Sequence, residues 1–302
     1  MAYNMILFGA GASYGSDDVG TPPLGSDLFD ALVCFNRSGW GQIPLDLVDN
    51  FRHDFEEGMR TLSKSNPHWM PPLQRAMAAY FFNFTPRYSS LYRKLARRIL
   101  ESNWNGSLST INYERLLELS FISEGLRPVV GTSRTNSNEI ELCLPHGCCH
   151  LFCESVRGSA NMLSLAGTMV TTNGPIKCIP NPAEFQSRIQ NDAFPSVMSY
   201  FEPEKRTTSG ASFIDGQRHR FLELALRASN LGILGVRVRP NDNHIWDPLA
   251  KTSARLVYCS GKRGGEEFEV WSQYNRPDKQ GLTLYGYFAD CFEHFCEELE
   301  LD

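Results

Sequence analysis

The chain has 302 residues, 42% of them hydrophobic, with nine cysteines and a formal net charge of −5. That length holds one large domain or two small ones, and the acidic balance argues against a primary nucleic-acid binder, which is usually basic. No apolar run approaches a membrane span, the start Met1-Ala2-Tyr3-Asn4 has no signal-peptide pattern, and an odd cysteine count without an export signal points to free thiols in a reducing cytoplasm.

The first element expected is a strand over Met5–Phe8, a short apolar run that feeds Gly9-Ala10-Gly11-Ala12-Ser13. A glycine-rich turn after a buried strand lets a backbone approach a pyrophosphate, and the following helix aims its N–H groups at the phosphates. The same pattern also serves as a plain strand-to-helix turn. Ser26–Val33 then reads as a capped amphipathic helix. Residues from about 45 to 102 read as a helical insertion, with helices over Leu45–Met59, Leu73–Phe82 and Ser89–Glu101. The dense basic stretch Arg93–Arg98 alternates with leucines at helical spacing, the mark of a solvated helix face.

Ser107–Thr110 is the next strand, and Glu114–Ile122 the helix after it. Asn112 lies between them. An amide at a strand's carboxyl end can hold a carboxamide or orient a water, and it can equally serve as a helix N-cap. Pro128–Val130 and Ile140–Leu144 are further strands. The latter runs into Pro145-His146-Gly147, which puts a natural general base at a strand end beside a glycine. A partly buried structural histidine is the alternative there.

From about 155 to 215 the text is rich in Ser, Thr, Asn and Pro, and reads as a loop-rich insertion. Phe221–Ser229 is expected to be helical, Gly232–Gly235 a strand, Ile245–Ala250 a short helix and Ala254–Cys259 a strand. Phe268–Trp271 is assigned to an edge strand and Leu282–Leu299 to the closing helix. Gly235 ends its strand at a loop in which Asp242 opens the next helix, either as an N-cap and loop organiser or as a ribose contact. Strands alternating with helices imply an α/β fold, a Rossmann-like parallel sheet covered by helices on both faces, in one domain spanning 1–302.

The succession Gly-Ala-Gly-x-Ser, Thr-x-Asn, His-Gly, then Gly…Asp resembles the sirtuin-like NAD-cleaving family from about residue 5 to about 260. The resemblance implies an NAD pocket in which Gly9, Ala10, Gly11, Ala12, Ser13, Thr110, Gly235 and Asp242 contact the nucleotide. It places the site asparagine at Asn112 and the general base at His146. Deacetylating sirtuins carry a Phe-Arg soon after the glycine turn, an Asp two residues after the asparagine, and two Cys-x-x-Cys zinc pairs. This chain has Gly20-Thr21-Pro22-Pro23-Leu24-Gly25, Glu114 and no Cys-x-x-Cys. Cys148, His150, Cys153 and Cys178 are conceivable zinc ligands, but their spacing is unlike the usual signature, so no metal is expected.

The departures resemble the sirtuin-like effectors of bacterial antiphage defence, which hydrolyse cellular NAD. That resemblance implies NAD as substrate and nicotinamide and ADP-ribose as products. Because an unregulated NAD hydrolase would be toxic to its host, control by homo-oligomerisation or by a partner defence protein such as an ATPase is expected, and the acidic balance and short apolar runs argue against direct nucleic-acid or membrane contact. The alternatives are an NAD-dependent protein deacylase and a non-catalytic NAD- or ADP-ribose-binding subunit. The aromatics Tyr80, Phe81, Phe82, Phe84, Phe292 and Phe295 are read mostly as core, with some available to an interface.

Overall fold

In a computed structural model the described residues are 2–102, 104–131, 136–154, 171–200, 205–239 and 241–301. Seven strands form one sheet. They are β1 (Asn4–Phe8), β2 (Gly106–Thr110), β3 (Arg127–Val130), β4 (Glu139–Cys143), β7 (Asn230–Leu234), β8 (Arg255–Ser260) and β9 (Gly281–Tyr285), and their order is β3-β4-β2-β1-β7-β8-β9. Every neighbouring pair is parallel. Strands β5 (Leu151–Cys153) and β6 (Ile176–Cys178) form a separate antiparallel pair.

β1 sits at the centre, and its alternation shows why the sheet is covered twice. Ile6 and Phe8 join one buried cluster, while Met5 and Leu7 join another on the opposite face. Each such side chain, fully buried, contributes about 1.5–3 kcal/mol. The first face carries α2 (Gly25–Phe35), α3 (Leu45–His53), α4 (Phe55–Ser65), α5 (Met70–Phe82), α6 (Leu91–Glu101), α7 (Leu116–Ser123) and α12 (Phe288–Glu298). The second carries α9 (Ala211–Arg227), α10 (Asn243–Lys251) and α11 (Lys262–Asn275). The edge strands β3 and β9 are less buried than the central ones. This is the expected Rossmann-like α/β arrangement.

Four expectations differ from the structure. Leu45–Met59 is two helices, because Asp54 breaks the run and caps α4 by accepting from the Glu56 and Glu57 amides at 3.0 and 3.3 Å. Phe268–Trp271 lies inside α11, where Phe268 stacks flat on Tyr258 at 4.1 Å. The edge strand is instead β9. Alternating Leu282 and Leu284 extend there before Gly286, so the closing helix starts at Phe288 rather than Leu282. The loop-rich stretch holds α8 (Pro182–Asn191), whose Asn181 cap and first-turn proline read in the sequence as turn signals; residues 155–170 and 201–204 of that stretch lie outside the described residues.

The basic stretch behaves as a solvated face. Arg93 pairs with Glu124 at 2.6 Å, and Lys94 and Arg98 pair with Glu293. Phe81, Phe82, Phe292 and Phe295 are buried, while Tyr80 and Phe84 pack partly buried against the same cluster. No helix among the described residues is long and apolar enough to cross a membrane.

Candidate active site

In an open parallel sheet a crevice forms at the strands' carboxyl ends, where the chain switches direction. Here the switch falls at β1. The chain leaves it toward β2 on one side and later returns to β7 on the other. The four sequence pieces follow β1, β2, β4 and β7, four contiguous strands, so all leave the sheet at the same edge.

The glycine turn opens α1 (Ala10–Tyr14). Its close neighbour is the turn after β7. Gly11 N–H donates to the Gly235 carbonyl at 3.0 Å, and Gly9 N–H to Leu234 at 2.9 Å. A Cβ on Gly11 would lie 2.9 Å from the Gly235 Cα, and one on Gly9 would lie 2.6 Å from the Gly235 oxygen. Gly235 itself sits at φ +61°, with a Cβ position 2.1 Å from the Ala12 nitrogen. The glycines are therefore required for two backbones to meet, whatever else the turn does. Ala10 is exposed; Ala12 and Ser13 are fully buried.

Asn112 is not a helix cap, since α7 begins at Leu116. Its amide group donates to the Gly9 carbonyl at 3.0 Å and to Ser13 Oγ at 2.9 Å. Ser13 Oγ donates in turn to Glu114 Oε1 at 2.5 Å and lies 2.8 Å from Tyr92 Oη. One hydroxyl has one proton and two lone pairs, so these three partners saturate Ser13. Ser13 thus ties the glycine turn to the strand that carries Asn112. Thr110 acts likewise: its hydroxyl accepts from the Asn112 backbone N–H at 3.1 Å and donates to the Phe8 carbonyl at 3.4 Å. Burial raises the Glu114 carboxyl above its ordinary range.

His146 is 3% exposed and lies 6.1 Å from the Tyr113 ring centroid, nearly parallel to it. Gly147, at φ +77°, makes the exit sharp, for a Cβ there would lie 2.0 Å from the Val197 oxygen. His146 Nε2 sits 2.7 Å from Nε2 of His244, on the first turn of α10. Burial, then Lys205, the neighbouring His244 ring and Arg218, hold the His146 imidazole well below its ordinary range. Burial with Arg218 and Lys205 holds His244 at about 3. Both rings are neutral at pH 7 and so can accept a proton.

Asp242 does occupy the N-cap position of α10, but its side chain does not cap. Its Oδ1 is buried with no partner among the described residues, and burial raises the carboxyl to about 6 against the pull of Lys205. Polar atoms of His146, Asp242 and His244 all lie within 4.8 Å of one another. Lys205 pairs with Glu56 at 2.7 Å, and Arg239 reaches both Asp54 and Glu56 at 3.3 Å, so α4 anchors this side of the site. Arg218 donates to Pro145 O at 3.3 Å and to Lys205 O at 2.8 Å. His244, Lys205 and Arg218 were missed by sequence reasoning. Only His244 left a signal, two residues past Asp242 in the loop already singled out.

A second cluster lies on the same loop. Cys148 Sγ is 3.1 Å from His150 Nδ1, and His150 Nε2 is 3.6 Å from Glu118 Oε1. Cys148, Cys149 and His150 offer ligand atoms within 4.8 Å of one another. Cys153 and Cys178, the other conceivable zinc ligands, sit on β5 and β6 outside that trio. Both trios, this one and His146–Asp242–His244, have donor types a transition metal accepts. The first is sulfur-rich. The second faces Lys205 and Arg218, whose charge opposes a cation.

No protein-family model matches the chain, and no curated protein does. Solved structures of similar shape include a Sir2 homologue–NAD complex, at 14% identity over 99% of this chain and 91% of that one, with a TM-score of 0.45. Two mutant Sir2 homologues in complex with ADP-ribose are each 12% identical over 99% of this chain and 92% of theirs, with TM-scores of 0.48.

Proposed function

We propose that the protein is an NAD hydrolase that cleaves the nicotinamide–ribose bond to give nicotinamide and ADP-ribose. The observation that carries the reading is the meeting of four motifs at the carboxyl ends of β4, β2, β1 and β7, with the Asn112 amide bonded directly to the glycine turn. In this reading the dinucleotide lies along the Gly9–Ser13 and Gly235 turns. Asn112 holds the nicotinamide ribose region and orients the attacking water. A neutral imidazole at His146 serves the proton transfer from a ribose hydroxyl. Removing that proton raises electron density on the sugar as the glycosidic bond breaks through an oxocarbenium-like transition state. The nicotinamide nitrogen already carries positive charge, so its departure needs no metal. Asp242, whose Oδ1 has no partner among the described residues, contacts the ribose or orders the loop.

The biological setting follows from the same resemblance: NAD depletion in the cytoplasm as an effector of bacterial antiphage defence. Such an activity needs restraint, supplied by a homo-oligomer or by a partner defence protein such as an ATPase. The deciding test incubates the purified full chain with NAD and measures nicotinamide release, with and without an acylated peptide. Release with NAD alone supports the hydrolase. Release only with the peptide replaces it with a deacylase, and binding without release replaces it with a recognition subunit.

A further inference from the structure

The Nε2 atoms of His146 and His244 are 2.7 Å apart, so between them they hold one proton: one nitrogen donates and the other accepts. The His146 ring is 3% exposed, and its Nε2 is committed to His244, so that nitrogen is closed to a substrate. His244 differs: it is partly exposed, on the first turn of α10, and only its Nε2 is committed to His146.

We propose that His244 is a catalytic residue, the member of a two-histidine relay that meets the ribose hydroxyl and passes a proton to His146. The inference rests on the NAD hydrolase reading above. The hydroxyl O–H bond breaks and its proton bonds to His244 Nδ1, while the electron pair stays on the ribose oxygen. The His244 Nε2–H bond breaks as that proton bonds to His146 Nε2. His146 becomes an imidazolium. Water gives its hydroxyl to the ribose carbon that nicotinamide leaves and its remaining proton to the ribose oxygen, and the one proton released overall, that on His146, leaves by the reverse route through His244 to solvent. The groups facing the pair are Lys205, Arg218, Asp242 and the Tyr113 ring. Lys205 is neutralised by Glu56, so the imidazolium forms beside one ion pair, one arginine and one carboxyl.

The experiment compares full-length His244→Ala, His244→Gln and His146→Ala with wild type, reading nicotinamide release and adding imidazole. We expect His244→Ala to lower kcat by about 10²-fold with KM changed less, as for a lost acid/base group. Imidazole restores it at least about tenfold, because the vacated place is partly open to solvent, and leaves His146→Ala unrestored, because that ring is enclosed. A kcat at or above wild type in His244→Ala overturns the relay and makes His244 a mere cap on His146. Rescue of His146→Ala but not of His244→Ala reverses the two roles and overturns it equally. Wild-type protein that releases no nicotinamide sinks the functional reading instead. In that event nitrogen-15 histidine NMR still decides the pair: a scalar coupling between the two Nε2 atoms at pH 7 supports the shared proton, and its absence in folded protein overturns it.

Discussion

His146 and His150 stand four residues apart on one loop, both buried and both held neutral, yet the structure gives them opposite surroundings. His146 turns to the strand ends, where it meets a second, partly exposed histidine and a carboxylate oxygen without a partner among the described residues. His150 turns inward to Cys148 and to Glu118 of α7, and its neighbours are closed off. A low imidazole pKa therefore marks burial, not function. What separates the two is whether the ring's partner opens toward the crevice at the topological switch. The Cys148–His150–Glu118 series looks like a nucleophile with its base, but burial holds the Cys148 thiol well above its ordinary range, the reverse of an activated thiolate.

The largest test of this contrast is loss of activity. His146→Ala and Asn112→Ala are each expected to lower nicotinamide release by about 10²–10⁴-fold, with the fold retained by circular dichroism. Near-normal turnover in either folded variant removes that residue from the mechanism. His150→Ala should stay within about threefold of wild type, far from the loss given by removal of an acid/base group. A loss at His150 as deep as at His146 would erase the distinction between the two regions.

Next in size are the glycines that bring the two turns together. Gly235→Ala places a Cβ against the Ala12 nitrogen at a positive φ, and Gly11→Val places a branched side chain against Gly235. We expect each to cost about 3 kcal/mol or more in urea unfolding, from overpacking and backbone strain together. A Gly11→Val protein as stable as wild type that has lost NAD binding by calorimetry would show that the glycine serves the ligand rather than the backbone contact.

His150→Ala sharpens the comparison from the other side. It removes the partner of Cys148 and Glu118 in a closed space and should cost about 1–3 kcal/mol of stability without touching the chemistry. Metal analysis of the wild-type protein tests the same cluster. We expect well under one zinc per chain; a stoichiometric zinc whose removal unfolds the protein would give Cys148, Cys149 and His150 a ligand role.

Much of this was legible in the sequence, and the limits have physical causes. β1 and β8 announce themselves because a strand buried on both faces carries a short apolar run, Met5–Phe8 and Leu256–Cys259, whereas β2, Gly106–Thr110, shows only small and β-branched residues around Leu108. The motifs at the strand ends then fall on one edge by topology alone. Phe268–Trp271 misled because an apolar pair on the buried side of α11 has no period within four residues. The His146–His244 contact was invisible because the two residues are 98 positions apart and meet only once β4 and α10 are placed. Asn112 was found for its type and position, but its bonds to Gly9 and Ser13 depend on β1 and β2 lying side by side.

The smallest effect expected is the change in stability between pH 6.5 and 4.5, where the groups of the two regions oppose one another. His150 and His244 are held at about 3 and His146 is also lowered, whereas unfolded histidines titrate near 6.5. As pH falls below 6.5 the unfolded chain binds protons that the folded chain refuses, so these three rings take stability away. Glu118, raised to about 7, Asp242, raised to about 6, and Glu114, also raised, act in the opposite sense. They bind protons in the folded state before their unfolded counterparts do near 4, so they add stability as pH falls from about 7 to about 4.5. The three carboxyls offset the three rings in part over that range, so urea midpoints should fall less between pH 6.5 and 4.5 than below it. Below about 4 the raised carboxyls are protonated in both states, and the histidine contribution, roughly 1.4 kcal/mol per pH unit for each ring, adds to the loss from Asp54, whose carboxyl Arg239 holds low against burial. Stability should then fall steeply toward pH 3. In His150→Ala one of the three opposing rings is gone, so its midpoint should fall less than that of wild type between pH 6.5 and 4.5. A wild-type midpoint that falls as steeply between pH 6.5 and 4.5 as below pH 4 would mean that Glu118 and Asp242 are ionised in the folded state, and that the two buried regions differ in charge as well as in access.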